Sequence, residues 1–245
     1  MKNPSVWLLL LSTGLTFAQG NRGFPVQFQN CVEYVGTGPI PLAQAQAFVP
    51  SPFTIATDAS GNATFVVRAA RCNSVKVDGF DAIPGIVSHI GVSVVSPDGT
   101  GDINNYTVAY ATDSERLAQR LERAGIPTLV DPDLVKEDNT SSLYVEVSPE
   151  NKAGWSITGT QTNTAFLTMP FLANWWSKGE KGIVKMATNI PSITFKFAQG
   201  TIITRRFGKI GQLIQGNNYS QFGARPFDFN VRGEFVSGLM DVTVQ

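Results

Sequence analysis

The sequence predicts a mainly β (α+β) protein, an antiparallel β-barrel or strongly curved sheet with one packed helix. Three observations lead there. Short runs rich in β-branched and aromatic residues recur between Gly, Pro, Asn and Asp. A single segment carries both helix caps and helical periodicity. Strands and helices do not alternate as they do in a doubly wound α/β sheet.

Residues 1–18 have the order of a secretory signal: Lys2, an apolar run from Val6 through Leu15, then Thr16-Phe17-Ala18. Cleavage after Ala18 is expected, leaving 19–245 as one β-rich domain and the protein secreted to the extracellular space. The apolar run is too short to span a bilayer, and no later run of about 20 apolar residues follows, so no membrane span is expected. Loss of Lys2 leaves 18 basic against 19 acidic residues. No basic block is present to meet a phosphate backbone, which argues against nucleic acid as a partner.

From Gly20 to Phe53 the chain is punctuated by Gly36-Thr37-Gly38-Pro39, Pro41, Pro50 and Pro52, which predicts a segment laid over the surface or a barrel end. Its phenylalanines would anchor it. Strands are predicted at Ala63–Ala70, Val87–Val95, Tyr106–Ala111, Leu143–Val147, Trp155–Gly159, Gly182–Ala187, Ser192–Phe197, Thr201–Arg205 and Phe227–Phe235. Asp98-Gly99-Thr100-Gly101-Asp102 reads as a hairpin turn. The helix follows Thr112-Asp113-Ser114-Glu115, presents Leu117, Leu121 and Ala124 on one face, and ends at Gly125 and Pro127.

Two cysteines, Cys31 and Cys72, are expected to pair in an oxidising export route. Closing a loop of some forty residues would stabilise the fold by about 4 kcal/mol on chain entropy alone. Sequons at Asn62, Asn105, Asn139 and Asn218 are compatible with a glycoprotein.

Familiar catalytic signatures are missing. The sequence has no Gly-x-Ser-x-Gly elbow and no P-loop, and a lone histidine with two paired cysteines cannot build a four-ligand zinc site. The acidic turns at Asp98–Asn104 and Asp131–Asp138 lack the spacing of a calcium loop and read as solvated turns. Neither metal nor cofactor is called for.

Arg68 and Arg71 lie three apart at the end of the predicted strand Ala63–Ala70, so if the strand runs on uninterrupted at most one faces the interior. Such an arginine needs an acidic partner or holds a ligand's carboxylate; surface exposure or structural pairing is the alternative. His89 is the one side chain that would titrate near neutral pH, as a proton-transfer group or a satisfied structural histidine. Phe171, Trp175 and Trp176 form the densest aromatic cluster, able to wall an apolar pocket or to fill core. Lys185 is the lysine embedded in an apolar strand pattern, a candidate amine for carbonyl chemistry or an outward surface lysine.

The run Tyr106 to Thr128, a strand and capped helix ending Ala124-Gly125-Ile126-Pro127-Thr128, resembles the strand, helix and Gly-x-Pro segment of the acetoacetate decarboxylase family. The resemblance implies an antiparallel β-barrel around a buried keto-acid pocket, with a Schiff-base lysine directly after Gly-x-Pro. Here that position is Thr128, which cannot form an imine. By spacing, His89 falls near the strand where the family carries an acidic pocket residue. Three functions follow as expectations: a secreted barrel with an interior pocket for a small organic acid or apolar molecule; a lyase or decarboxylase using Lys185 as a relocated amine; or a non-catalytic extracellular binding or structural protein.

Overall fold

The computed structural model describes residues 23–147, 154–205, 208–215 and 222–245. The expected signal peptide and the Asn218 sequon lie outside them. The elements are β1 (Phe24–Ile40), α1 (Leu42–Gln46), β2 (Ala63–Val77), β3 (Ile83–Ser93), β4 (Ile103–Thr112), α2 (Glu115–Ala124), β5 (Thr128–Val130), β6 (Val135–Asp138), β7 (Leu143–Val147), β8 (Trp155–Gly179), β9 (Gly182–Arg205), α3 (Lys209–Gln215), β10 (Phe222–Pro226) and β11 (Phe229–Val244).

Hydrogen bonding runs β9-β11-β1-β2-β3-β4-β8, and β8 then pairs with β9, closing these strands into a barrel. Most pairs are antiparallel, as expected. The exceptions among the described residues are β4 with β8, where Asn105 aligns with Trp175, and β4 with β5. Closure removes free sheet edges from the ring and gives its strands two faces, one enclosed and one outward.

The outward face is covered as well. β8 and β9 bend at successive bulges and leave the ring, so that their far halves build a second sheet, β6-β7-β8-β9-β10. That sheet, with α1 and α3, packs Val145, Trp155, Ile157, Ile202 and Leu213 on Tyr34, Phe65, Val67 and Ile90 of the barrel wall. The barrel's own interior holds Val26, Phe28, Val66, Val87, Tyr110, Trp175, Met186 and Ile193. Alternation along each strand feeds both cores, which is why the strand sequences read as nearly continuous apolar runs.

Helix α2 forms where its caps place it: Ser114 Oγ accepts from the Leu117 amide at 3.3 Å, and Gly125 ends the helix in the left-handed conformation, φ 99°. Leu117 and Leu121 turn inward to the interior core. The connection is tight, since a Cβ on Gly125 would stand 2.7 Å from the Gly179 Cα.

Several expectations are corrected. Within the expected surface segment, Phe24–Ile40 is instead β1, a 17-residue strand between β2 and β11. Its glycines are packing positions, with the Phe227 ring 2.6 Å from where a Gly36 Cβ would stand and the Phe65 ring 2.7 Å from that of Gly38. The four short strands predicted between 155 and 205 are parts of two long ones. Pro191 does not break β9, because β11 leaves residues 190–193 unpaired there and no ladder bond is lost. Two short helices, α1 and α3, accompany the expected one.

Cys31 and Cys72 are aligned partners on β1 and β2 and form a disulfide.

Candidate functional site

A cavity of about 310 Å³ opens into the barrel, at the small end of the usual range for small-molecule sites. Its walls are Phe171, Trp175, Ile190, Phe195 and Val231, and its rim carries the exposed side chains of Phe166, Leu167 and Phe229. Phe166 stacks on Phe197 at a centroid distance of 4.5 Å. These side chains make the rim itself largely apolar.

Among the described residues, two charged ones line this cavity, Glu33 and Arg68. They face each other diagonally across β1 and β2: Arg68 donates through Nε at 2.8 Å and Nη2 at 2.7 Å to the same oxygen, Glu33 Oε2. Both side chains are buried. A buried arginine of this kind is retained only with a carboxylate beside it, and here the chain supplies its own.

The fold places the other candidate residues as follows. Arg71 points outward, to a shallow surface groove of about 640 Å³ shared with Asp138 and Glu234. That groove is larger, but it is solvent-open and lacks an apolar enclosure. Trp175 faces the cavity; Trp176, one residue on, faces the outer core and donates from Nε1 to Asn104 Oδ1 at 2.9 Å. The expectation that either tryptophan walls the pocket therefore resolves in favour of Trp175.

His89 is enclosed behind that wall, 4.0 Å in ring centroid from Tyr110 and 4.9 Å edge-on from Trp175. Neither ring nitrogen has a partner, nor has the Tyr110 hydroxyl. Burial, and then the nearby Arg68 charge, hold the His89 pKa well below its ordinary value, so the ring is neutral. Burial pushes the Tyr110 phenol upward, keeping it protonated.

Lys185 is not at the cavity. Its Nζ lies 2.5 Å from Asp98 Oδ2, 2.8 Å from Thr100 Oγ1 and over the Trp176 ring, on the outer side of β9. Partial burial raises the Asp98 pKa, but hydrogen bonds from Lys185 and Thr100 outweigh it and hold the carboxyl at about 2. The Lys185 amine is tied to a surface turn and does not face the cavity, because β9 alternation directs Val184 and Met186 inward instead. Thr128 is buried at the start of β5, donating to the Ile126 carbonyl at 3.0 Å, and is not among the cavity residues. No lysine lines the cavity among the described residues.

Of the sequons within the described residues, Asn139 is exposed and Asn62 half-buried. Asn105 is 1% exposed and lines the cavity, so it cannot carry a glycan in this fold. Sequence reasoning missed Asn105 as a cavity residue and missed Glu33 altogether. The alternation Cys31, Glu33, Val35 would have exposed Glu33 had β1 been read as a strand.

No protein-family model and no curated protein sequence matches the chain. Solved structures do. An acetoacetate decarboxylase structure aligns with a TM-score of 0.61 at 10% identity, covering 90% of this chain and 89% of that one. Acetoacetate decarboxylase from Legionella pneumophila aligns at 0.57 and 12% identity, covering 90% and 85%. An acetoacetate decarboxylase-like enzyme from Sphingomonas wittichii aligns at 0.50 and 9%, covering 91% of each. The chain has the acetoacetate decarboxylase-like fold.

Proposed function

We propose that this chain is an exported, disulfide-linked protein that binds a small, largely apolar organic molecule inside its barrel without forming an imine. The observation that carries this reading is the cavity itself: aromatic and aliphatic walls, one internally neutralised ion pair and, among the described residues, no amine in the lining. Sites for small ligands are concave and mostly apolar, with few convergent polar groups. Binding is favoured over a relocated-lysine lyase because Lys185 is engaged by Asp98 and Thr100. A filled structural barrel is disfavoured by the cavity. The fold is shared with decarboxylases, yet fold alone does not carry chemistry, and Thr128 stands where the resemblance calls for the lysine.

The test is intact mass after incubation with small keto acids and borohydride. No adduct is expected, with the mature chain starting at Gln19 and two hydrogens lighter than its reduced form. An adduct mapped to any lysine would overturn the imine-free reading.

A further inference from the structure

We infer that the ligand is a neutral carbonyl compound with an apolar body, not a carboxylate; this rests on reading the barrel as a binding site. Charge is decisive. Arg68 and Glu33 are the charged members of the lining, and each is the other's partner. A carboxylate entering this space would add a second anion beside Glu33 with one shared cation to offset both, in an enclosure that solvates ions poorly. Neutral His89 adds no positive charge behind the wall. A neutral guest leaves the interior balanced.

The hydrogen-bonding inventory points the same way. Asn105 lines the cavity and is 1% exposed; its Oδ1 accepts from Ser93 Oγ at 3.1 Å, while Nδ2 has no partner. An enclosed amide donor left unpaired is costly, and a ligand carbonyl oxygen is the acceptor that would satisfy it. Trp175, aligned with Asn105 across β4 and β8, supplies an aromatic wall beside it. The ligand's apolar portion would lie against Phe171, Phe195 and Ile190.

Calorimetric titration with three molecules of one shape separates the possibilities: acetophenone, its hydrocarbon counterpart α-methylstyrene, and benzoate. Acetophenone is expected to bind about five- to tenfold tighter than α-methylstyrene, the worth of one hydrogen bond between neutral groups, and at least tenfold tighter than benzoate. In Asn105→Leu the ketone's advantage over the hydrocarbon should vanish while the hydrocarbon still binds. Ser93→Ala leaves the amide in place but unanchored and should narrow the advantage, so the inference stands even if Asn105→Leu fails to fold. Benzoate binding as tightly as acetophenone would overturn the inference and leave the binding site intact. Equal affinity for ketone and hydrocarbon would overturn the role of Asn105. Failure of all three to bind would overturn the binding reading and this inference together.

Discussion

Arg68 reaches a single oxygen of Glu33 with two of its nitrogens, at 2.8 and 2.7 Å, inside the barrel. Desolvation makes such a pair costly to break and of little net worth when intact. Glu33→Leu or Arg68→Met alone is expected to lower stability by about 3 kcal/mol or more, whereas Glu33→Leu combined with Arg68→Met should return close to the parent. Denaturant melts of the four proteins form a double-mutant cycle; additive losses would show that the two side chains do not act as a unit.

His89 imposes a pH dependence whose sign is fixed by its surroundings. Arg68 and Tyr110 face it, and burial lowers its pKa below the ordinary 6.5. The unfolded chain therefore takes up a proton first as pH falls. This contribution to stability is complete above about pH 6.5 and declines by about 1.4 kcal/mol per pH unit below it, until the folded histidine itself protonates. Subtracting the profile of His89→Phe, whatever that variant's overall stability, should isolate this slope. A flat difference between pH 5 and 7 would contradict a buried neutral imidazole.

Gly91 is set by what lies over it. A Cβ there would stand 2.4 Å from the Tyr106 carbonyl oxygen and 2.7 Å from Trp175 Cζ3. Gly91→Ala should displace the indole and cost about 1–3 kcal/mol, visible as a lower melting temperature and a changed near-ultraviolet dichroism. An unchanged aromatic spectrum would mean that Trp175 does not pack against this strand.

Accessibility separates the sequons. Expressed in a glycosylating host, the protein should carry glycans at Asn139 and Asn62 and none at Asn105, which the barrel encloses. Peptide mapping decides this. A glycan at Asn105 on folded protein would be incompatible with the described β4.

Much of this was legible in the residues. Strand-forming runs, the Ser114 and Gly125 caps and the Cys31–Cys72 pair are local or pairwise signals, and each is present in the fold. The opposed directions of Arg68 and Arg71 followed from strand alternation. What stayed hidden depended on partners distant in sequence. Gly36 and Gly38 look like breakers until Phe227 and Phe65 are seen against them. Lys185 looks embedded in an apolar strand until Asp98, 87 residues away, is found beside it. Asn105 read only as a sequon because nothing local shows that β4 turns it inward.

The central claim, that the barrel interior holds a small organic guest, is tested most directly by filling it. Ala173 lines the cavity, so Ala173→Phe should occupy the space a ligand would take. Titration calorimetry with acetophenone should give saturable binding to the parent protein and none to a folded Ala173→Phe variant. Equal binding to both would place the ligand elsewhere and contradict the account.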